Sequence, residues 1–260
     1  MSHRTLALIF SGLAAALLAV LIVLLILCFA PQSGGSVSAS GEIDAAEQTV
    51  QPTELPDAPE VTPNSNPSVS LQEQPVPEGY FEDALFIGDA LVQGLQLNDY
   101  DDVLTGADFI VDDDLTVRGD AYYLDDMEYD AYGKVYICLG MEELLADEED
   151  IQEAYLNLLS EIRRHEPNAV IYIMSLTPVS EYKSSVSSYY SQRLVRAFND
   201  VLRGIARDGG AYYMDIYASL CDENGYLPSE VTVDGIHFVP AHYEGWFDYL
   251  QSHYVTEAEG

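Results

Sequence analysis

From Tyr80 onward the chain alternates short apolar runs with longer segments of helical period. The runs are Ala84–Ile87, ending at Gly88, then Asp108–Val111, Lys134–Gly140, Ala169–Pro178 and Ala211–Tyr217. They lack polar alternation, which fits strands buried on both faces of a parallel sheet. Between them lie patterns with one apolar face. Asp150–His165 aligns Ile151, Tyr155, Leu158, Leu159 and Ile162, and should stop before Pro167. Ser187–Asp208 aligns Leu194, Phe198, Val201, Leu202 and Ile205, with Gly209 as its expected C-cap. Pro240–Tyr254 begins a third helix with proline in its first turn and buries Trp246, Phe247 and Leu250.

Strand–helix alternation of this kind predicts an α/β domain, three-layered and doubly wound, with about five parallel strands and right-handed crossovers. In such a sheet ligands sit at the carboxyl ends of the strands. That edge is readable from the sequence. It comprises Gly88-Asp89-Ala90, the "DDDLTV" stretch (112–117), Gly140-Met141-Glu142-Glu143, Ser175–Pro178 and the loop Thr232–Trp246. Ser175 and Thr177 read as turn residues there. Asp89 reads as the group that satisfies backbone N–H donors where the first helix starts.

The N-terminal part follows a different pattern. Thr5–Ala30 carries no charge and is long enough to span a bilayer, which takes roughly 20 apolar residues. A cleaved leader has a shorter apolar stretch, and Pro31 follows directly, so residues 1–30 are expected to form a retained anchor. Arg4, the one Lys or Arg before the span, orients the N-terminus inward and the rest of the chain outward. Residues 31–79 are rich in Pro, Ser, Glu, Gln and Gly, with too few large apolar residues to offset ordering entropy, and read as a linker. Residues 80–255 then form the folded domain. The expected location is the cell membrane, single-pass, with the C-terminal domain outside.

Charge narrows the partners. The formal net charge is −34, and no acidic residue precedes Glu42. So acidic a domain excludes nucleic acid and anionic lipid headgroups as partners, since both need a basic surface. The three cysteines form no Cys-x-x-Cys pair. Cys138 falls inside an apolar run and is expected as a buried free thiol rather than a disulfide with Cys221.

The edge residues resemble the motif blocks of the SGNH/GDSL hydrolase family. "FIGDALVQG", "YICLGMEEL" and "VDGIHFVPAHYEGW" occur in that family's order and spacing, and the likeness runs from Ala84 to about Leu250. The resemblance implies a flavodoxin-like SGNH fold and an ester-hydrolysing ancestry. It assigns Asp234 and His237 to the carboxylate and base of a catalytic triad. It also implies three departures. The nucleophile position holds Ala90 where the family has serine. The oxyanion asparagine position holds Glu142. The oxyanion glycine position falls at Asp114.

Each departure acts against acyl transfer. Alanine has no lone pair with which to attack a carbonyl carbon. An oxyanion hole needs donors where negative charge develops, and an ionised Glu142 only accepts. The resulting expectation is a degenerate, membrane-anchored relative that binds a cell-surface glycan or protein ligand. The alternative is an active esterase, deacetylase or acyltransferase, in which His237 acts with water, a metal or a displaced hydroxyl. No cofactor is expected. On this alignment Asp114, Glu142, Asp234 and His237 converge, a set suited to a divalent cation or an amino-bearing ligand. The plainer alternative is that charge accumulated there after catalysis lapsed.

Overall fold

The computed structural model of the chain describes residues 71–255, apart from Asp120, Asp125, Asp126 and Glu128. The expected anchor (1–30) and nearly all of the expected linker (31–79) lie outside these residues. Among the described residues, no helix is long and apolar enough to cross a membrane.

In chain order the elements are β1 (Gln72–Glu73), β2 (Ala84–Gly88), α1 (Ala90–Leu97), β3 (Asp108–Val111), β4 (Lys134–Cys138), α2 (Glu148–His165) and β5 (Val170–Met174). Then come α3 (Glu181–Val186), α4 (Gln192–Asp208), β6 (Tyr212–Met214), α5 (Ile216–Leu220), α6 (Tyr243–Ser252) and β7 (His253–Tyr254). Five strands form one parallel sheet in the order β3-β2-β4-β5-β6. β1 and β7 pair separately as an antiparallel two-stranded sheet that ties the chain's entry into the domain to its exit.

The strand order locates a ligand crevice without reference to any side chain. From β2 the chain moves outward to β3, then returns past β2 to β4 and continues the opposite way. Right-handed crossovers therefore place α1 on one face and α2 and α4 on the other. The order reverses between β2 and β4, and the crevice outside their carboxyl ends is the expected binding position. Ala90 follows β2 and Glu142 follows β4.

Phe109, Phe86, Tyr136, Tyr172 and Tyr212 are cross-strand partners in register, one per strand. Their rings form a continuous row, with the spacings from Phe109 to Tyr172 at 5.1, 4.5 and 4.7 Å and near-parallel planes, and Tyr212 tilted at its end. Such pairs add about 0.5–1.5 kcal/mol each beyond area burial, so the row fixes strand register as well as filling the layer. Tyr80, Phe81 and Tyr254 pack in contact with one another or with this row.

Three sequence expectations shift. The helix expected over 187–208 starts at Gln192, because the Ser187 hydroxyl accepts the Tyr189 and Tyr190 N–H groups and bends the chain, and Ser191 then caps α4. The buried face of α4 is Val195, Phe198, Asn199, Leu202, Ile205 and Ala206, with Leu194 and Val201 at its margins. The run Ala211–Tyr217 is extended only over Tyr212–Met214 before α5 begins. Cys138 and Cys221 are both free thiols.

Candidate functional site

The turn after β2 is built from close packing. A Cβ on Gly88 would lie 2.1 Å from Val92 Cγ2 and 2.9 Å from the Cys138 carbonyl oxygen, so only glycine lets α1 start this near β4. Asp89 caps α1, its Oδ1 accepting the Leu91 N–H at 3.0 Å. Ala90, at the position expected for a nucleophile, is the first residue of the helix and half-buried. Burial raises the Asp89 carboxyl to about 6 against the Leu91 hydrogen bond. Glu142 pushes it the same way and His237 the other, which brings both within electrostatic reach of Asp89.

Gly140, two residues beyond β4, has φ +121°, and the next three residues form one 3₁₀ turn. That turn sends two adjacent glutamates in opposite directions. Glu142 is exposed and accepts the Tyr190 hydroxyl at 2.7 Å. Glu143 is buried and accepts the Val117 N–H at 2.9 Å and the Arg118 N–H at 3.0 Å, with the Arg118 guanidinium beside it at 3.4 Å. Glu143 thereby fastens the loop after β3 to the loop after β4. Sequence reasoning gave it no role, and its partners lie 25 and 26 residues away.

The dyad residues meet as their spacing suggests. His237 Nδ1 lies 2.8 Å from Asp234 Oδ2, while Asp234 Oδ1 accepts the N–H groups of Ile236 and His237 at 2.9 Å. Partial burial works against ionisation of Asp234, but these bonds and the His237 ring outweigh it and hold the carboxyl down at about 2. The loop is locked by Thr232, whose hydroxyl accepts the Gly235 N–H and donates to the His237 carbonyl, and by the Ser180 N–H, which donates to the Gly235 carbonyl. With Nδ1 held by Asp234, Nε2 is the ring nitrogen left for chemistry or binding.

The bent segment 187–191 reaches from one side of this region to the other. Tyr190 bonds Glu142 and feels Asp234, and both groups, with burial foremost, push its phenol up. The Lys183 ammonium lies 5.0 Å from the centre of the Tyr190 ring. Lys183 carries no sequence signal of its own, and Tyr190 stands out only as part of the tyrosine-rich "SYY" stretch (188–190), which suggests a stacking or partner surface.

Asp114 does not join this group. It is exposed, and its backbone N–H is donated to the Asp112 carboxylate at 3.0 Å, so it is not free to face an oxyanion. Among the described residues no three His, Cys, Asp or Glu side chains are placed to share one cation. Ser175 and Thr177 are buried, and the Ser175 hydroxyl accepts the Tyr217 N–H at 2.8 Å, which gives it a structural bond rather than a free nucleophilic position. His242 lies in a 3₁₀ turn against Phe238 and the Leu220 carbonyl, and His253 sits in β7 stacked on Tyr249, so both are packing residues.

The sequence model of the GDSL-like lipase/acylhydrolase family matches residues 86–244, from the middle of β2 into α6. The chain belongs to this family. No curated protein sequence matches it. Among solved structures it is similar to a protein of Streptococcus pneumonia described as a platelet activating factor, at 18% identity and a TM-score of 0.55, over 72% of this chain and 85% of that one. It is also similar to a GDSL-like lipase from Bacteroides thetaiotaomicron VPI-5482, at 15% identity and a TM-score of 0.52, over 67% of this chain and 88% of that one. At these identities the likeness is one of fold, and its five parallel strands are those of the GDSL family's α/β domain.

Proposed function

We propose that this chain is a membrane-anchored, outward-facing member of the GDSL family that binds a cell-surface ligand and does not carry out serine-dependent acyl transfer. One observation carries the reading. At the carboxyl ends of β2 and β4 a methyl group stands where the nucleophile is expected, and a carboxylate, Glu142, which acts on the adjacent Asp89, is held by Tyr190. A tetrahedral oxyanion formed there would face negative charge instead of a donor, and losing even one donor costs about 2.7–4 kcal/mol. The likeness to acylhydrolases makes an acylated glycan the first ligand class to test. The anchor rests on the uncharged stretch Thr5–Ala30 and Arg4.

A second reading has its own support. The Asp234–His237 pair is intact, and a histidine so oriented can activate water directly. A chromogenic acyl ester assay on the wild-type chain and on His237→Ala separates the two. The binding reading expects no turnover above background in either. Wild-type turnover that disappears in His237→Ala would establish the enzyme. Ala90→Ser with Glu142→Asn is expected to gain measurable esterase activity, since the Asp234–His237 contact and the Gly88-Asp89 turn would supply a base and a frame for the serine.

A further inference from the structure

A second cleft, of about 430 Å³, lies between α4 and the carboxyl end of β6, against α5. β6 is the sheet's edge strand, three strand spacings from β2, or about 14 Å at 4.8 Å per spacing. The cleft shares no residue with the candidate site. Its lining departs from the surrounding surface in charge. The chain has only ten Lys and Arg, and four of them, Arg193, Arg196, Arg203 and Arg207, lie on α4. Arg196 and Arg203 are two turns apart on one face, and both line the cleft.

The two arginines are in different states. Arg203 stacks on Tyr213, 4.6 Å from the ring centre, and is neutralised by Asp200 at 2.9 Å and Asp215 at 3.4 Å. Arg196 lies 5.8 Å from the centre of the Tyr217 ring and, among the described residues, has no carboxylate within ion-pair reach, although the chain carries 44 acidic residues. It lies beside a fixed turn. Gly225, at φ +81°, leaves room for it, since a Cβ there would lie 3.0 Å from Arg196 Nη2 and from Gln192 Nε2. Gln192 and the Tyr217 hydroxyl both donate to the Gly225 carbonyl, which fixes that turn beside the guanidinium. The buried Tyr213 hydroxyl, in the same lining, points toward Ser175 and completes no well-formed hydrogen bond.

We propose that this cleft is a carboxylate-binding site anchored by Arg196. A planar carboxylate matches a guanidinium fork with two parallel hydrogen bonds. Asp200 and Asp215 in the lining select a single negative charge, because a doubly charged phosphate would meet both of them.

The test is calorimetric titration of the full-length chain in detergent with galacturonate, galactose and inorganic phosphate. Saturable galacturonate binding with Kd on the order of 1 mM is expected. Galactose should give none, and phosphate should bind more weakly than galacturonate. Arg196→Ala should weaken galacturonate binding roughly tenfold, and Arg196→Lys, which keeps the charge without the fork, should weaken it by several-fold. Arg196 is exposed, so circular dichroism should show both variants folded. His237→Ala should bind as wild type does. The proposal is overturned by equal binding of galactose, by phosphate binding more tightly, by no saturation up to about 50 mM, by an unchanged Arg196→Ala, or by loss of binding in His237→Ala.

Discussion

Glu142 and Glu143 are identical in chemistry and adjacent in sequence, yet their replacement should have very different consequences. Glu143 accepts one fully buried and one partly buried backbone N–H. Hydrogen bonds to a charged group contribute about 1.5–3 kcal/mol each. Counting the buried bond in full and the partly buried one at about half gives roughly 2–4.5 kcal/mol for Glu143→Ala. The Arg118 side chain adds little, since it is about half exposed and its contact is 3.4 Å. Glu143→Gln keeps the volume and one accepting oxygen but turns an amide N–H toward the second donor, so about 1.5–3 kcal/mol should be lost. Glu142→Gln, at an exposed residue with one bond from Tyr190, should cost under about 1 kcal/mol. Urea unfolding of the three variants measures the differences. In a domain of this size each kcal/mol also lowers Tm by about 2–4 °C. A Glu143→Gln variant within about 0.5 kcal/mol of wild type would refute the assignment of Glu143 as the clasp between the two loops.

Asp89 and Asp234 should shape stability against pH in opposite senses. The Asp89 carboxyl is raised to about 6, so the native state holds its proton more tightly than the unfolded chain; the stability this gives is present below about pH 4 and is lost as pH rises through 6. Asp89→Asn keeps an acceptor for Leu91 and should therefore be about 2–3 kcal/mol more stable relative to wild type at pH 7 than at pH 3.5, as measured by denaturant unfolding at both. The Asp234 carboxyl is lowered to about 2, so its contribution is present above about pH 4 and lost as pH falls through 2. Asp234 is partly exposed, which reduces the effect to about 1 kcal/mol after solvent screening, and Asp234→Asn should remove that acid limb in the same titration. Gly140→Ala should cost about 2–4 kcal/mol, from strain at φ +121° and a Cβ placed 2.3 Å from the Phe198 ring, and a Tm within 2 °C of wild type would contradict it.

The parts of this domain legible in the sequence are those whose cause is local. β2 to β5 follow from apolar runs, and the Asp234–His237 contact follows from an i, i+3 spacing in a loop closed by its own Thr232. The parts that were not legible depend on distant partners. Glu143 reads like its neighbour until Gly140 turns it inward toward a loop 25 residues earlier. Asn199 reads as a polar interruption of α4, but it is buried and bonds both the N–H and the carbonyl of Leu176, which fixes the chain leaving β5. The helix expected from Ser187 fails because a serine hydroxyl offers the backbone a competing set of bonds. Asp114 was placed from the pattern around Leu115-Thr116-Val117, and the loop instead turns its N–H onto Asp112.

The same contrast bears on what the site retains. The fold-determining features of a nucleophile turn are present: Gly88 pressed against β4, Asp89 capping α1, and a carboxylate–histidine pair across the crevice. These stabilise the native chain whether or not acyl transfer occurs, since Asp89 satisfies a helix donor and Asp234 satisfies two loop donors. Ala90 and Glu142 satisfy no backbone donor, and they are the positions at which the groups implied by the family resemblance are missing. Glu142 is not neutral in effect: it adds to burial in raising the proton affinity of Asp89 and engages Tyr190, and its negative charge would disfavour an anionic transition state and favour a ligand bearing a hydrogen-bond donor or a positive charge. The frame is therefore accounted for by folding alone, and the Glu142 carboxylate engaged by Tyr190 is the observation behind the proposed binding role.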